Sequence, residues 1–555
     1  MQQAVNFINQ NTTRTRYRGR VITPTHYYVK FTPQNEDDLL KLDSLDKRDD
    51  LVLFNFPLDY EIIEEGNYLE RSDAREIKYS PVYTTIPVNF SLPQGLSYEI
   101  LAEVYKPTPG EWDLEVAAYV LSGNSADLDI SYHGEPLNID NLAGFLNESY
   151  NNRMNLGYRP YGWFKVYDTE TADYVGVKYT KIAIGNAIFW RYTYTDDNGY
   201  FESPVNFVIP VRIRAKWRSS LGVIRRSANE LLGIGVSDFL MKEKKNNNGR
   251  IYFTKHCDKH KWPKATVNNA LVKYNSFISS VHVPFGVRRA NIWVINAKNS
   301  PSGAAPMFHI YTPYLSFFDA MILYYFGYYN ILWSDIIKEL FSYLYPDLIF
   351  IIVPCKNTTK EIDQLVFHEA GHFSHAIKAG NNFWNQFVAS ETSNMLHHGG
   401  DPYSDGDDPT PAKGRLIALC EGWATFTEHA VMYHYYITDS DDRHIYTNMD
   451  AFNMYVVPDN HTEPYKSWFL TGLIWDVMDN HSKGEGDLIN NNVYPSTSDP
   501  IIDSLYLGDI STDFSPVYNC LTPAIRDGYR LRKCLIGHYP AYGSQINQLF
   551  DSYGY

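Results

Sequence analysis

The sequence predicts a multidomain protein in which β-rich domains are followed by an α+β, mostly helical domain. The chain has 555 residues, which is more than one hydrophobic core usually organises. Up to residue 217, short runs of β-branched and aromatic residues alternate with Gly, Pro, Asn and Asp, a pattern typical of strands and turns. From about residue 263, longer segments with helical periodicity take their place.

The N-terminal region is predicted to consist of a flexible tail, residues 1–20, and a β-rich domain, residues 21–155. The tail is polar, and polar chain termini are often poorly ordered. In the domain, the runs "HYYVKF", "DLVLFNF" and "VYTTIPVNFSL" predict strands. The charged run "NEDDLLKLDSLDKRDD" predicts a short helix or a loop between them.

A second β domain is predicted for residues 156–217. The run "GWFKVYDTETADYVGVKYTKI" predicts two strands joined by a turn, and "FVIPVRIRAKW" predicts a further strand. Residues 196–199, "DDNG", precede the aromatic pair "YF", and Asn-Gly between aromatic strands favours a β-hairpin because both residues tolerate positive φ. Gly-Val followed by "DNGYF" resembles the carboxypeptidase-regulatory-like module, which implies a small transthyretin-like β-sandwich.

Residues 218–262 are predicted to be a connector with an exposed loop at "KEKKNNNGR". Residues 263–555 are predicted to form the helical domain, in which "WPKATVNNALVKYNSFISS" is a helix and "DLIFIIVP" is a buried strand. The apolar run 315–333 approaches the length of a membrane span, but Asp319, Asn330 and its many tyrosines favour a core helix. No transmembrane span is therefore expected.

Charge and cysteine content narrow the classes of function. The net charge of −15 argues against nucleic acid as a partner, because phosphate binding needs a basic face. The five cysteines are too few and too scattered for a disulfide framework. Cys520 and Cys534 can pair, although free thiols are the favoured interpretation. The cluster His256, Cys257 and His260 lies in a polar segment and is interpreted as a surface cluster rather than a metal site.

The segment "DQLVFHEAGHFSHAIKAG" (363–380) has the clearest functional pattern. His368 and His372 are four residues apart, so on a helix they share one face and can reach one tetrahedral zinc ion. Glu369 can hold a water molecule at the metal and accept its proton. The capping pair Thr358 and Glu361 predicts the helix start, and a glycine predicts its end at residue 380. The opposite face is apolar: Ile362, Val366, Ala370, Phe373 and Ile377.

The third metal ligand is predicted from the segment "GRLIALCEGWATFTEHAVMYHYY" (414–436). It has helical periodicity and contains Glu421, 49 positions after His372. A glutamate on a second helix, antiparallel to the first, completes a His₂Glu site and leaves the fourth coordination position open for water.

"HEAGH" followed by "EGWATF" resembles the gluzincin metallopeptidases, the class of thermolysin and the zinc aminopeptidases. The wider chain resembles zinc-peptidase surface proteins of Bacteroidetes-type bacteria, on the stretches "ITPTHYYVKFTPQNEDDL", "SGAAPMF", "FHEAGHFSHA" and "SWFLTGLIWDVMDN". The resemblance implies a zincin catalytic domain in which His368, His372 and Glu421 bind zinc and Glu369 is the general base. It also implies an exported protein at the cell surface, in the periplasm or secreted, whose leader would be absent from this sequence.

The chain departs from the gluzincin pattern at three places. Thr425 stands four residues after Glu421, where thermolysin-like enzymes have Asp. The loop "LHHGGDPYSDGDDPTPAKG" is longer than in the aminopeptidases, and Gly371 is a weak helix former inside the motif. An oxyanion-stabilising Tyr or His is also expected, and the candidates are Tyr435, Tyr436, His429 and His434.

The sequence supports three hypotheses for function. The first is zinc-dependent hydrolysis of peptide bonds in a peptide or protein substrate. The second is a surface binding or adhesion protein whose peptidase fold no longer turns over substrate, although the intact Glu369 argues against it. The third is a zinc peptidase directed to glycosylated proteins, with aromatic residues as platforms for sugar.

Overall fold

The computed structural model divides the chain into two compact units. The first unit comprises Met1–Ser219 and Arg225–Ala265, and the second comprises Ser220–Ile224 and Thr266–Tyr555. The N-terminal region is rich in strands and the C-terminal region is mostly helical, as predicted. The structure describes residues 1–48, 50–58, 81–108, 110–128, 130–152, 157–186, 189–225, 234–235, 237–243, 249–255, 261–285, 290–297, 303–308, 348–354, 357–397, 412–436, 470–478, 505–552 and 555.

The first part of the N-terminal unit combines helices with a three-stranded antiparallel sheet of order β2-β1-β3. Its strands are β1 (His26–Phe31), β2 (Val82–Pro87), β3 (Tyr98–Val104), and the short pair β4 (Ser131–Tyr132) and β5 (Glu135–Pro136). Its helices are α1 (Gln2–Asn11), α2 (Glu36–Asp46), α3 (Trp112–Leu121) and α4 (Leu142–Asn151), with a 3₁₀ turn at Ser125–Leu128. The charged run between β1 and β2 is therefore a helix, α2.

The prediction of a flexible tail is wrong, because residues 1–20 are packed into the first unit. Helix α1 buries Ala4, Val5 and Ile8 against the core formed with α3 and α4. Tyr17 is fully buried, and its hydroxyl donates a 2.8 Å hydrogen bond to the carboxylate of Asp113. Apolar residues at this spacing form one narrow helix face, and the polar composition around them hid it.

The run "DLVLFNF" was also predicted wrongly, since it forms only an isolated bridge from Phe54 to Tyr83 rather than a strand. Its apolar side chains still enter a core. Val52, Phe54 and Phe56 pack with Tyr28 in one buried cluster. The hydrophobic pattern therefore predicted burial correctly, but consecutive side chains from Leu51 to Phe54 are buried, and such burial does not require a hydrogen-bonded ladder.

Two further sheets follow in the first unit. One has the order β10-β6-β14 with β7 paired to β6, and the other has the order β13-β11-β8-β9. Phe164 of β6 and Phe253 of β14 contact Trp217, which follows β11, with ring centroids 5.6 and 6.1 Å away. The strands are β6 (Tyr161–Asp168), β7 (Asp173–Gly176), β8 (Lys181–Asn186), β9 (Phe189–Tyr194), β10 (Tyr200–Glu202), β11 (Val211–Ala215), β13 (Asp238–Glu243) and β14 (Gly249–Phe253).

The predicted hairpin at residues 196–199 is wrong in its pairing. The turn exists, with a 3.0 Å hydrogen bond from Gly199 N to Asp196 O and a φ of 73° at Gly199. However, β9 and β10 lie in different sheets. A Cβ at Gly199 would lie 2.1 Å from the carbonyl oxygen of Phe164, so glycine lets the chain pass close to β6. The turn therefore joins two sheets.

The prediction of a connector at 218–262 is wrong as well, because this segment supplies strands. Strand β13 pairs with β11 antiparallel, and β14 pairs with β6 parallel, so both complete the sheets above. The alternation of apolar and polar residues that predicts a strand is weak in β14, because its run is only "GRIYF". The charged and Asn-rich run beside it predicts a loop more strongly.

The second unit contains a mixed four-stranded sheet of order β12-β15-β17-β16. Strand β17 was predicted, and it pairs with β15 parallel and with β16 antiparallel. Helix α5 (Lys261–Ser280), also predicted, begins in the first unit and continues into the second. The strands are β12 (Gly222–Arg225), β15 (Ala290–Ala297), β16 (Gly303–Phe308) and β17 (Leu348–Pro354).

Helices complete the second unit. They are α6 (Thr359–Ala379), α7 (Asn381–His397), α8 (Ala412–Tyr436), α9 (Thr471–Met478), α10 (Ser515–Cys520), α11 (Gly528–His538) and α12 (Gly543–Ser552), with a 3₁₀ turn at Pro540–Tyr542. Cys520 and Cys534 form a disulfide that links α10 to α11, so the preference for free thiols was wrong. Helix packing places them within reach, which their spacing alone did not reveal.

Some predictions lie outside the described residues. They are the core helix at 315–333, the cluster of His256, Cys257 and His260, residues 244–248 of the predicted exposed loop, and residues 398–411 of the long loop. Within the part of the chain that the structure describes, no helix is both long and apolar enough to span a membrane.

Candidate metal centre

Helix α6 carries the histidine motif, and its ends are set by local sequence. Thr358 caps the N-terminus: Glu361 N donates to its Oγ1 at 3.2 Å, and Thr358 N donates to the Glu361 carboxylate at 2.7 Å. Gly380, with a φ of 81°, ends the helix. Both ends are as predicted. On the apolar face, Ile377 is half-buried, and the other predicted residues are buried: Ile362, Val366, Ala370 and Phe373.

Helix α8 packs against α6 in the antiparallel direction, as predicted. Near the start of α6, Gln364 Nε2 donates to Glu428 at 2.6 Å. Further along α6, Ser374 Oγ accepts a 3.0 Å hydrogen bond from Trp423 Nε1. Because residues later in α6 meet residues earlier in α8, the two helices run in opposite directions. This packing brings Glu421 beside the histidines.

His368, His372 and Glu421 form a compact group whose ligand atoms all lie within 4.8 Å of one another. The Nε2 atoms of His368 and His372 each lie 3.3 Å from a different oxygen of Glu421. In a tetrahedral zinc site with bonds of about 2.0–2.1 Å, ligand atoms are roughly 3.3 Å apart, so this donor set fits the geometry of such an ion. The group can therefore hold a metal ion.

Exposure differs among the members of the group. The side chains of His372 and Glu421 are 1% and 2% exposed, whereas that of His368 is 21% exposed. Solvent, or another molecule, can thus approach the group from the side of His368. The arrangement has a buried base and one open side, which is the form expected of a metal site that leaves a coordination position free.

Glu428 holds His368 in place. His368 Nδ1 lies 3.0 Å from Glu428 Oε2, and the other carboxylate oxygen of Glu428 accepts from Gln364. A proton on Nδ1 would be donated to Glu428, which leaves Nε2 as the nitrogen available to a metal. Thr425, four residues after Glu421, has no carboxylate. Glu428 supplies one instead, because it lies two helical turns after Glu421 on the same face of α8.

The electrostatics of the group favour a positive charge. Burial lowers the pKa of His368, but hydrogen bonds to Glu421 and Glu428 outweigh burial and raise this pKa well above its ordinary value. Burial raises the pKa of Glu421, yet the nearby His372 and His368 outweigh it and bring this pKa far below the usual range. The carboxylates therefore favour a cation between them.

Glu369 is buried beside the group. Burial raises its pKa to about 8; the charges of Glu421 and Glu428 also raise it, whereas His368 lowers it. Its Oε2 atom is buried and, among the described residues, has no hydrogen-bond partner. A carboxyl group with an unsatisfied oxygen is available to bind a water molecule or a substrate proton.

Glu391 on α7 is a member of this site that the sequence reasoning missed. Burial raises its pKa well above the usual value, and so do the charge of Glu421, a hydrogen bond to Glu421 and the charge of Glu369. Two adjacent carboxyl groups in a buried site share a proton, because both cannot be ionised cheaply. The stretch "VASETS" around Glu391 offers no spacing signal, since the residue arrives through the packing of a third helix.

Most of the predicted oxyanion candidates are engaged elsewhere. The hydroxyl of Tyr435 donates to the carbonyl oxygen of Lys273 at 3.1 Å, and that of Tyr436 donates to the Asp363 carboxylate. His434 packs its ring against Phe277 and Tyr435. His429 interacts electrostatically with the metal group: burial lowers its pKa, the charge of Glu428 raises it, and the charge of His368 lowers it.

His375, one turn beyond His372, does not join the metal group. It is fully buried and packs against the rings of Phe383 and Trp384. Burial, assisted by the charge of His372, lowers its pKa to about 3, so the ring is neutral. A second geometric group consists of Cys520, Cys534 and His538, but its sulfur atoms form the disulfide and offer no thiolate.

Comparison with known proteins adds no family assignment. No family model matches the chain, and no curated protein or solved structure is significantly similar to it. The function must therefore be argued from the site.

Proposed function

We propose that this protein is a zinc-dependent peptidase with a His₂Glu site of the gluzincin type. The observation that supports the proposal best is the donor set: His368, His372 and Glu421, on two antiparallel helices, with Glu369 buried directly beside them. On this proposal the second unit is a zincin catalytic domain, and the sheets around β6 and β11 are the regulatory-like module.

The donor chemistry favours zinc among the common metal ions. Calcium and magnesium prefer oxygen ligands, whereas two imidazole nitrogens and one carboxylate suit zinc. Three protein ligands leave one position free, which is the pattern of catalytic rather than structural zinc sites. Within the described residues no cysteine thiolate belongs to the group, so a structural cysteine site is not favoured.

The residues would divide the work of hydrolysis as follows. A zinc ion at the site would polarise the scissile carbonyl and lower the pKa of the attacking water. Glu369 accepts the proton of that water and delivers it to the nitrogen of the leaving amine. Glu428 keeps His368 in one tautomer and one orientation. A substrate chain approaches on the side where His368 is exposed.

A second candidate function is a peptidase directed to glycosylated proteins, supported by an aromatic face on the sheet that contains β6. Sugar rings stack on such faces. The ring centroids of Tyr200 and Trp163 are 5.4 Å apart, and those of Tyr252 and Tyr174 are 5.0 Å apart. Under this candidate, removal of glycans from a substrate protein lowers its rate of cleavage. Under the first candidate, the rate is unchanged or rises.

The catalytic proposal is tested with Glu369→Gln and a matched control, Glu361→Gln. Both are glutamate-to-glutamine changes on α6, but Gln at 361 can keep the helix cap. Zinc-loaded proteins are incubated with a peptide library, and products are identified by mass spectrometry. We expect Glu369→Gln to bind zinc and to cleave about 10²–10⁴-fold more slowly than the control. Cleavage at the wild-type rate, or no cleavage by the wild type, would contradict the proposal.

A further inference from the structure

The first unit contains a cavity of about 400 Å³, remote in sequence from the metal motif. It lies between strands β1 and β2 on one side and β9 on the other, with Lys106 from the segment after β3. This volume falls in the range of small-molecule sites, roughly 300–1,000 Å³. Neither the metal group nor the proposed hydrolysis uses it.

Three basic side chains line this cavity: His26, Lys106 and Arg191. Among the described residues, none of them has a carboxylate partner. Lys106 Nζ lies 5.9 Å from the ring centre of Phe189, Arg191 Nη1 donates to the carbonyl oxygen of Trp190 at 2.9 Å, and His26 Nδ1 lies 3.0 Å from Thr25 Oγ1. No carboxylate among the described residues therefore compensates a positive charge on these groups.

Each basic group disfavours the protonated, charged form of its neighbours. Burial and then the charge of Arg191 lower the pKa of Lys106 to about 7. Burial, followed by the charges of Lys106 and Arg191, lowers the pKa of His26 to about 4. Grouping unpaired cations in a partly buried place destabilises a folded protein. Such a group is expected where function requires an anion.

The nearby acids do not neutralise the basic groups. Asp50 also lines the cavity, but its carboxylate accepts hydrogen bonds of 2.7 and 2.6 Å from Arg48. Glu115 lines a smaller cavity of about 90 Å³, which shares Lys106 and Arg191 with the larger one. Burial alone raises the pKa of Glu115 to about 7, and no cation contributes to this shift. The chain as a whole is acidic, with a net charge of −15, so an excess of basic residues does not explain the cluster.

Aromatic rings form the other part of the wall. Phe189 lies between two of the basic groups: its ring centre is 6.4 Å from that of His26, and Lys106 Nζ lies over its face. Trp190 and Tyr192 also line the cavity. Rings beside cationic groups suit a ligand that has an anionic group on a cyclic or apolar body.

We propose that this cavity binds a small organic anion, in which a carboxylate or phosphate group meets Lys106 and Arg191 and a ring of sugar size packs against Phe189. None of the residues that line this cavity belongs to the metal group. The existence of the site does not depend on the peptidase proposal.

The test is isothermal titration of the full chain with three pyranoses: glucuronate, glucose 6-phosphate and glucose. We expect one of the two anionic sugars to bind at least about 10-fold more tightly than glucose, which corresponds to about 1.4 kcal/mol. The preferred anion identifies the anionic group as carboxylate or phosphate. At about pH 8, binding should take up protons, because an anion raises the pKa of Lys106. Titrations in buffers of different ionisation enthalpy measure this uptake.

Variants connect binding to the cavity. Lys106→Met should weaken binding at least about 10-fold and abolish the proton uptake, yet raise the thermal midpoint of the free protein, because an unpaired cation is removed. The control is Lys30→Met on strand β1, whose ammonium lies 3.8 Å from Glu99 instead; it should bind like the wild type. Equal binding of glucose and both anionic sugars, no binding of any of them, or unchanged binding by Lys106→Met would overturn the proposal.

Discussion

Gly371 should be indispensable where the two ligand-bearing helices cross, even though it is a poor helix former. It precedes His372 on α6 and faces α8. A Cβ at this position would lie 2.2 Å from Thr427 Oγ1 and 2.9 Å from the Cα of Ala424. A side-chain oxygen can rotate away, but the backbone of α8 cannot, so Gly371→Ala must push the helices apart.

The two opposing effects of Gly371→Ala can be weighed. Ala is favoured over Gly in a helix by about 1 kcal/mol. Overpacking of a filled interface costs about 1–3 kcal/mol, and the contact with backbone atoms of α8 places this site near the upper end. We therefore expect net destabilisation of about 2 kcal/mol. His372 lies on α6 and Glu421 on α8, so pushing the helices apart separates the ligands. Zinc affinity should therefore fall about 10-fold or more.

Gly537 in α11 is a matched control, because a Cβ added there meets nothing within 4 Å. Gly537→Ala should raise the free energy of unfolding by about 0.5–1 kcal/mol and leave zinc affinity unchanged. Urea unfolding of the metal-free proteins measures stability, and competition with a chromogenic chelator measures zinc affinity. Thr427→Ala should rescue Gly371→Ala only in part, since the contact with Ala424 remains. The reasoning is refuted if Gly371→Ala is as stable and binds zinc as tightly as Gly537→Ala.

Two further predictions concern the second unit. Replacing Glu428 by Gln should weaken zinc binding about 10–100-fold, because His368 loses a charged hydrogen-bond partner; the same chelator competition measures this, and unchanged affinity would show that Gln364 and the packing suffice to orient the ring. Replacing both Cys520 and Cys534 by Ala should lower the free energy of unfolding by about 3 kcal/mol, the value expected for a short closed loop. Urea unfolding measures this change. As a control, dithiothreitol should destabilise the wild type by the same amount and leave the stability of the variant unchanged.

The part of the site that could be predicted from sequence is the part set by local chemistry. The capping pair at Thr358 and Glu361, the four-residue spacing of the histidines, and the helix around Glu421 each depend on residues close together in the chain. Their ends and faces follow from helix geometry, so the structure agrees with them. Gly371 is a weak helix former inside the motif, and only its close contact with α8 explains why glycine occupies this position.

Features that depend on contacts distant in the sequence were missed. Glu391 reaches Glu421 from a third helix, and no spacing rule connects them. The sequence predicts the turn ending at Gly199 correctly. Its flanking strands β9 and β10 pair with β8 and β6 instead of with each other, because strand pairing depends on contacts with segments distant in the sequence. Glu428 lies two helical turns after Glu421, so helix geometry places it on the same face, whereas the gluzincin pattern points to the position one turn after Glu421.

The central claim is that His368, His372 and Glu421 form one metal site, and metal analysis tests it most directly. The full chain is loaded with zinc, dialysed, and measured for bound metal beside Glu421→Ala and the control Glu361→Gln. We predict one zinc per chain in the wild type and the control, and loss of that zinc in Glu421→Ala. Absence of zinc from the reconstituted wild type, or full retention by Glu421→Ala, would contradict the account.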